Sequence, residues 1–336
     1  MKFTFLGTTG LKVSRLCMGT MTFGREADKA AARAIFKRCR DAGINFFDCA
    51  NTYSEGQAET ILGELIADRR DELIITSKVA QPMGAGLNDR GGSRRHIMAA
   101  VEASLRRLQT SYIDLYFLHQ FDPHTPLEES LRALDDLVSQ GKVHYLGASN
   151  FAAWQIAKAL GVSALYGWTA FQCIQPMYNL VKRQAEVEIL PLAQSENLGV
   201  ISYSPLGGGL LTGKYGTDRR SGSGQLTDRR SGSGRLQTNK MYQKRYGEDW
   251  MFAAANGFKE LADTHGYHPV SLAVSWVAHH PAVTAPIIGA RDVAQLEDAL
   301  KSVDIELTSE LYDQICRLTL TPPPATDRSE EVKATI

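Results

Sequence analysis

Short apolar runs alternate with amphipathic stretches along most of the chain. The runs lie at 16–19, 44–47, 73–77, 113–118, 143–147, 169–173, 200–203 and 284–288. Stretches of helical periodicity lie at 28–42, 57–67, 94–108, 127–139, 151–161, 182–197, 251–265 and 293–302. Runs without polar alternation, rich in β-branched and aromatic residues, are typical of parallel strands buried on both faces. The pattern therefore predicts eight strands with helices between them in a parallel sheet.

Eight strand–helix units favour a closed barrel over an open sheet. A doubly wound open sheet normally has a G-x-G-x-x-G turn after its first strand. Residues 19–24 of this chain read GTMTFG instead. We therefore predict α/β architecture with a single (β/α)8 TIM barrel domain over residues 1–336. A β-hairpin within 3–13 precedes the barrel, and an extra helix lies near the C-terminus.

Two segments differ in composition from the rest of the chain. Residues 217–224 (TDRRSGSG) recur at 227–234, after the seventh predicted strand. Stretches rich in Ser and Gly are typical of flexible loops, so we predict a long flexible insertion over 217–240 and a loose tail over 320–336. A tolerated surface insertion explains most of the repeat, although one of its arginines could close over a bound phosphate.

Composition and charge exclude several function classes. The chain has 336 residues, 43% of them hydrophobic, and 37 basic residues balance 37 acidic ones. These values predict a large core and give no indication of a nucleic-acid or membrane partner. The five cysteines are widely spaced, which indicates a reducing cytoplasm and no metal site. The sequence has neither a signal-peptide pattern nor a membrane-length apolar run, and it leaves the oligomeric state open.

Four polar residues lie just past the ends of three successive apolar runs: Asp48, Tyr53, Lys78 and His119. The carboxyl ends of barrel strands converge on one face, where catalysis occurs. The ammonium group of Lys78 should lower the pKa of Tyr53 and make it a general acid for a carbonyl oxygen. Asp48 would keep Lys78 charged, and His119 would bond the substrate oxygen or relay its proton. A structural salt bridge and simple rim packing are the alternatives for each residue taken singly.

Several motifs together resemble the aldo-keto reductase family. They are GLKVS at 10–14, LCMGTMTFG at 16–24, FDCANTY at 47–53 with Glu59 and Leu62-Gly63, ITSK at 75–78, DLYFLH at 114–119, GASNF at 147–151 and YSPLGGG at 203–209. The similarity extends from Gly7 to about Leu318 and is greatest to aryl-alcohol dehydrogenases and channel β-subunits. It implies hydride transfer from a nicotinamide cofactor to a small aldehyde or ketone, with Tyr53 as proton donor.

The resemblance also implies a set of cofactor-binding residues. Ser149 and Asn150 after the fifth strand, and Gln172 at the end of the sixth, would bind the nicotinamide carboxamide. Ser149 and Asn150 could also cap the following helix, and Tyr203 would stack on the nicotinamide ring. The whole set comprises Gly19, Thr20, Met21, Asp48, Ser149, Asn150, Gln172, Tyr203, Ser204, Pro205, Leu206, Gly208, Lys214, Arg235, Gly289, Arg291, Gln295 and Asp298.

The identity of the cofactor depends on the last predicted helix. A 2′-phosphate favours a helix N-terminus together with an arginine, and Arg291 fits that role, so we predict NADP(H). Asp292 adds a negative charge beside it, and Ala299 follows Asp298 where the family commonly has Asn. NAD(H) therefore stays an alternative.

Two other functions compete with a reductase. A cofactor-sensing subunit of a membrane channel would use the same fold with weak catalysis. Such relatives tend to carry a long N-terminal extension, whereas this chain begins almost at its hairpin. A barrel isomerase or lyase acting on sugar phosphates would not need the nicotinamide-binding set.

Overall fold

The computed structural model describes residues 1–216, 227–228, 234–328 and 330. Contacts divide the chain into two compact units. The first consists of Met1–Pro176, Ile189–Ser202 and Ala282–Glu297, and the second of Met177–Glu188, Tyr203–Pro281 and Asp298–Ile336. A single domain over 1–336 stays a prediction.

The first unit contains a closed barrel of eight parallel strands, in the order β12-β3-β4-β5-β6-β7-β8-β9. The strands of the chain are β1 (Phe3–Phe5), β2 (Lys12–Ser14), β3 (Cys17–Gly19), β4 (Phe46–Asp48), β5 (Ile74–Val79), β6 (Ile113–Leu118), β7 (Val143–Ser149), β8 (Phe171–Gln175), β9 (Gly199–Ser202), β10 (Tyr215–Gly216), β11 (Thr227–Asp228) and β12 (Ala285–Ile288). The barrel strands are apolar and almost wholly buried, as expected for a parallel sheet covered by helices. The predicted TIM barrel is confirmed.

Helices follow most of the barrel strands. They are α1 (Lys29–Asp41), α2 (Gln57–Ile66), α3 (Arg94–Leu108), α4 (Leu127–Ser139), α5 (Ala153–Tyr166), α6 (Ile189–Ser195), α7 (Arg235–Thr238), α8 (Lys240–Tyr246), α9 (Asp249–Thr264), α10 (Pro269–His279), α11 (Val293–Leu300) and α12 (Ser309–Cys316). Short 3-10 segments lie at Tyr53–Gly56, Arg70–Glu72, Gln184–Glu186, Gly207–Thr212 and Lys301–Asp304. Helix α12 is the extra C-terminal helix that the sequence predicted.

The N-terminal hairpin of β1 and β2 packs on the amino end of the barrel. Leu6 is 0% exposed and belongs to the core cluster inside the strands. Gly7 has a left-handed φ of 54°, and a Cβ there would lie 2.6 Å from the backbone nitrogen of Gly199. Only glycine permits this approach, so the hairpin and the first residue of β9 are in direct backbone contact.

The second unit contains a helix that the hydrophobic pattern did not reveal. Helix α10 buries nine of its residues, including Trp276, whose ring stacks between those of Tyr178 and Tyr312. A helix that is apolar on most faces has no amphipathic stripe, so its periodicity gives no signal. Pro269 at its first position is the only start signal.

Several predicted boundaries were wrong. The single helix over 182–197 is instead a 3-10 turn followed by α6, because Pro191 in the first turn of α6 cannot donate the hydrogen bond that would extend the helix upstream. Most of the predicted insertion (217–226 and 229–233), together with residues 329 and 331–336 of the predicted tail, lies outside the described residues. Residues 235–238 of the insertion form α7. In the part of the chain that the structure describes, no helix has the length and apolarity to cross a membrane.

Candidate active site

A buried ion pair lies at the carboxyl end of the barrel. Asp48 is the last residue of β4, and Lys78 is the fifth residue of the neighbouring strand β5. The Nζ of Lys78 lies 2.7 Å from both carboxylate oxygens of Asp48 and 2.7 Å from the carbonyl oxygen of Cys49. The two side chains are only 2% and 0% exposed. A buried charge requires such partners, so this lysine is an ammonium group with a fixed position.

Tyr53 completes the contacts of this ammonium group. It begins the 3-10 segment after β4, and its Oη lies 3.1 Å from the Nζ of Lys78. An ammonium group only donates, so the phenol oxygen accepts this hydrogen bond with a lone pair. Within the described part of the chain, no acceptor takes the hydroxyl proton of Tyr53 itself. The phenol therefore has a proton available for a ligand.

The backbone after Tyr53 adopts a strained turn. Ser54, Glu55 and Gly56 have φ values of 49°, 55° and 91°, all in the left-handed region. For residues other than glycine this conformation costs roughly 1–2 kcal/mol each. The hydroxyl of Ser54 donates to the carbonyl oxygen of Phe23 at 2.7 Å, which helps to hold the turn. Surrounding contacts thus maintain the position of Tyr53 against a local cost.

The pKa of Tyr53 differs from the sequence prediction. Burial raises the pKa of the phenol more than the neighbouring ammonium group of Lys78 lowers it, so the pKa lies above its ordinary value. Burial by itself would lower the pKa of Lys78, but Asp48 and the phenol oxygen outweigh it, and the pKa is raised. The predicted direction for Tyr53 was wrong because desolvation is not visible in a sequence. The phenol is a stable proton carrier at neutral pH.

His119 faces the phenol from the next strand along. It follows β6, its backbone nitrogen donates to the carbonyl oxygen of Val79 at 2.8 Å, and its ring centroid lies 6.0 Å from that of Tyr53. Burial, and then the charge of Lys78, hold the pKa of His119 well below its usual range. Its Nδ1 is buried and has no hydrogen-bond partner among the described residues. A neutral imidazole therefore lies beside the phenol of Tyr53.

Ser149 and Asn150 also lie at this end, but they do not cap the following helix. Helix α5 begins two residues later than predicted, with Ala152 at its N-cap. The hydroxyl of Ser149 donates to the carbonyl oxygen of Gln175 at 2.9 Å, and Nδ2 of Asn150 donates to the carbonyl oxygen of His119 at 2.9 Å. The pair links three strand ends of the barrel.

The prediction that Gln172 lies at the end of the sixth barrel strand was wrong. Strand β8 extends to Gln175, and Gln172 lies near the amino end, 3.4 Å from the hydroxyl of Thr8 in the hairpin turn. Gln175 is the residue that reaches the ion pair, since its Nε2 donates to Oδ1 of Asp48 at 2.8 Å. The sequence signal for it was Pro176, which ends the strand directly after Gln175.

The first barrel strand supports the backbone of Asp48. Gly19 is paired with Asp48 in the sheet, and the backbone nitrogen and hydroxyl of Thr20 both donate to the carbonyl oxygen of Asp48, at 2.9 and 3.0 Å. The following Met21 is 37% exposed. Thr20 therefore positions the carboxylate through its backbone, and Met21 is accessible to a ligand.

Gly289 and Arg291, two of the predicted cofactor-binding residues, lie in the connection between β12 and α11, and a third, Gln295, lies in the first turn of α11. A Cβ added to Gly289 would meet no atom within 4 Å. Asp292 caps α11, because its Oδ1 accepts from the backbone nitrogen of Gln295 at 2.9 Å. Its negative charge therefore faces the helix N-terminus, where such a charge is stabilised.

The remaining predicted cofactor residues belong to the second unit. Tyr203 directly follows β9. Ser204 has a left-handed backbone conformation, with a φ of 60°, and its carbonyl oxygen accepts a hydrogen bond from Nδ2 of Asn179 at 2.9 Å. Gly207, Gly208 and Gly209 have positive φ values. Lys214 lies over the ring of Tyr215, Arg235 lies over the ring of Tyr242, and Asp298 pairs with Lys301 at 3.2 Å. Pro205 and Leu206 lie between β9 and the 3-10 segment Gly207–Thr212.

Comparison with known proteins identifies the family. The family model described as "Aldo/keto reductase family" matches residues 15–319. The chain belongs to this family. It is 39% identical to the uncharacterized oxidoreductase YrpG of Bacillus subtilis over 93% of this chain and 94% of that protein. It is 35% identical to a probable voltage-gated potassium channel subunit beta of Arabidopsis thaliana, over 94% and 95%, and 34% identical to a putative aryl-alcohol dehydrogenase of Schizosaccharomyces pombe, over 91% and 92%.

Membership of the aldo/keto reductase family supports a carbonyl-reducing oxidoreductase that acts on small molecules with a nicotinamide cofactor. The site contains groups suited to that reaction: a protonated phenol, an ammonium group beside its oxygen and a neutral imidazole. Among the described residues of this aldo/keto reductase, no three His, Cys, Asp or Glu side chains form a group that could hold a metal ion.

Proposed function

We propose that this aldo/keto reductase reduces aldehydes or ketones to alcohols with NADPH, and that Tyr53 donates the proton. The observation that carries the proposal is the 3.1 Å hydrogen bond from Lys78 to the phenol oxygen, which leaves the hydroxyl proton of Tyr53 for a substrate. A general acid must lie within hydrogen-bond reach of the oxygen that it protonates. A carbonyl oxygen placed between Tyr53 and His119 would meet that condition.

Each residue of the site has one task in this reaction. When bound, the reduced nicotinamide supplies a hydride to the carbonyl carbon. Tyr53 protonates the oxygen as negative charge develops there, and the ammonium group of Lys78 stabilises the resulting phenolate. Asp48 holds Lys78 in place, and neutral His119 offers a hydrogen bond that orients the carbonyl oxygen. In the reverse direction the phenolate would accept the proton of an alcohol.

The residues of the chain fit a nicotinamide dinucleotide. Open space at Gly289 lies just before the N-terminus of α11, where the helix dipole stabilises an anion. In the second unit, Gly207, Gly208 and Gly209 have positive φ values, which glycine adopts without strain, and the resemblance assigns the binding of the pyrophosphate to this segment. Ser149, Asn150 and Gln175 would hold the carboxamide at the end where Asp48 lies.

NADPH is proposed over NADH because Arg291 lies two residues before α11, at the same helix N-terminus. Asp292, whose charge counted against a phosphate, has its carboxylate engaged in capping α11. Arg291→Ala should raise the KM for NADPH about tenfold and leave the KM for NADH within about twofold, since a charge-assisted bond to phosphate is lost. Equal effects on both cofactors would contradict the assignment of the 2′-phosphate to this arginine.

The reaction itself is tested by a panel of aliphatic and aromatic aldehydes, ketones and sugars assayed with NADPH and with NADH. Tyr53→Phe should retain NADPH binding, measured by fluorescence, and lose about 10²–10⁴-fold in kcat. Near wild-type turnover of the variant on every substrate would show that another group is the acid. A lack of any NADPH fluorescence change on mixing would favour a barrel isomerase or lyase instead.

A cofactor-sensing channel subunit is the second candidate. It is supported by the similarity to the probable channel beta subunit of Arabidopsis thaliana. Stable co-purification of this chain with a membrane protein, together with turnover that no substrate of the panel improves, would favour it over the enzyme. A cytoplasmic location remains a prediction of the sequence.

A further inference from the structure

A buried carboxylate outside the barrel wall contacts the strand that carries Lys78 directly and the turn that carries Tyr53 through an arginine. Glu59 of α2 is 0% exposed. Its Oε1 accepts from the hydroxyl of Ser77 at 2.5 Å, and its Oε2 accepts from Nε of Arg107 at 2.7 Å. Neither Glu59 nor Arg107 has a part in the proposed reaction. A carboxylate buried at a position without chemistry needs a physical explanation.

The contact with Ser77 fixes the strand that carries Lys78. Side chains alternate across a strand, so Ser77 points to the helix side while Thr76 and Lys78 point into the barrel. Both of these inward residues bind Oδ1 of Asp48, at 2.8 and 2.7 Å. Glu59 therefore holds β5 from outside at the residue that lies between the two inner contacts with Asp48.

The contact with Arg107 supports the strained turn after Tyr53. A Cβ added to Gly56 would lie 2.8 Å from Cδ of Arg107, so the side chain of Arg107 packs directly against the end of that turn. Helices α2 and α3 approach closely enough for this contact because Gly63 of α2 has no side chain. A Cβ there would lie 2.6 Å from backbone atoms of Arg107 and Leu108. Arg107 pairs with Glu59, which anchors its guanidinium.

We propose that Glu59 is a positioning residue for proton donation, because it ties the strand of Lys78 to the turn of Tyr53 and thereby sets the distance between Nζ and Oη. This inference rests on the proposed role of Tyr53 as the acid. Glu59 touches no reacting atom. Its loss should weaken the proton-transfer step while cofactor and substrate binding remain intact, since small displacements at a reacting centre reduce rates strongly.

A matched control exists at the other end of the barrel. Asp114 in β6 is also a buried carboxylate paired with an arginine, since it accepts from NH2 of Arg70 at 2.6 Å and from the backbone nitrogen of Ile75 at 2.9 Å. Asp114→Asn and Glu59→Gln remove the same charge with little change in shape. A purely structural role predicts the same effect of both variants on kcat.

The experiment compares these variants in the full chain with NADPH and the best carbonyl substrate of the panel. Glu59→Gln should lower kcat about tenfold, raise the solvent deuterium isotope effect on kcat, and leave the KM of the substrate and the Kd of NADPH within about twofold. Asp114→Asn should leave kcat per folded molecule within about twofold. Equal kcat values for the two variants, or a loss confined to KM, would overturn the inference.

A second pair of variants decides the matter if Glu59→Gln does not fold. Ser77→Ala removes the contact on the strand side and should reproduce the lower kcat and the larger isotope effect, whereas Ser77→Thr keeps the hydroxyl and should restore both. Absence of any difference between Ala and Thr would overturn the inference. Failure of the proposed function is distinguishable, because Tyr53→Phe would then retain turnover whatever Glu59→Gln does.

Discussion

Buried ion pairs lie at both ends of the barrel, and their partners differ. At the carboxyl end, Lys78 contacts Asp48, a carbonyl oxygen and the phenol of Tyr53. At the amino end, the guanidinium of Arg70 binds Asp114 and the carbonyl oxygens of Leu73 and Tyr112, at 2.6, 2.9 and 3.0 Å. Both cations are well satisfied. Of the two cations, Lys78 is the one that donates a hydrogen bond to a phenol oxygen.

This difference separates the ion pair of the proposed reaction from a structural one. Burial does not distinguish them, since the side chains at both ends are at most 13% exposed. Besides Asp114, the described acceptors of Arg70 are two carbonyl oxygens and the hydroxyl of Thr110, and an arginine stays charged at any ordinary pH. Lys78 stabilises the negative charge that Tyr53 would carry after donating its proton. The group that a buried cation contacts, and not the extent of its burial, is therefore the better indicator of a catalytic role.

The strongest test of the comparison is removal of each cation. Lys78→Met should lower kcat about 10³-fold, because the phenolate loses its counter-charge, and should destabilise the fold by about 3–5 kcal/mol, because Asp48 is left buried and unpaired. Arg70→Met should destabilise the fold by a similar amount without a loss of kcat per folded molecule. Urea unfolding and steady-state kinetics of both variants measure the two quantities.

A loss of kcat in Arg70→Met that matches the loss in Lys78→Met would break the distinction between the two ends. Retention of turnover by Lys78→Met would remove the ammonium group from the mechanism. Protein concentration in each assay must be corrected for the unfolded fraction, since both variants are expected to be less stable.

An intermediate effect is expected for the two glutamines of β8. Gln175→Leu removes a hydrogen bond to Asp48 and should lower kcat/KM about tenfold, because a buried acceptor loses one of its donors. Gln172→Leu, at the amino end of the same strand, should change kcat/KM by less than about twofold. The same kinetic assay measures both variants. A larger effect of Gln172→Leu would contradict the assignment of Gln175, and not Gln172, to the candidate active site.

The smallest effect concerns pH. The pKa of His119 lies well below 6.5, and that of Tyr53 lies above 10, so neither group changes its charge between about pH 6 and 9. The kcat/KM for carbonyl reduction should therefore be constant over this range at saturating NADPH. His144→Gln at the amino end, where the imidazole is 46% exposed, should leave the profile unchanged. A step in activity near pH 6.5 would mean that the imidazole of His119 titrates.

The sequence predicted the barrel and its inner polar residues well, because both depend on local patterns. Apolar runs identified the strands, and the residue after each run identified Asp48 and His119. The bounds of the strands were predicted less well, since an apolar run does not show at which residue the pairing between strands begins and ends. The error at Gln172 follows from a shift of two residues in β8, which placed the wrong glutamine at the carboxyl end.

Other features depend on three-dimensional contacts that no local pattern records. Burial determines the direction of the pKa shift of Tyr53, and it depends on elements distant in sequence. The contact between Glu59 and Arg107 joins residues 48 positions apart. Helix α10 escaped detection for the opposite reason: its packing on several sides removed the polar face that marks most helices.

The hairpin at the amino end bears on the side from which a ligand can approach the barrel. Leu6 lies in the core and Gly7 contacts the backbone of Gly199, so the hairpin covers the amino end of the barrel. Tyr53 lies at the opposite, carboxyl end, and the interior between the two ends is packed with side chains, so we expect any ligand of Tyr53 to approach from the carboxyl side.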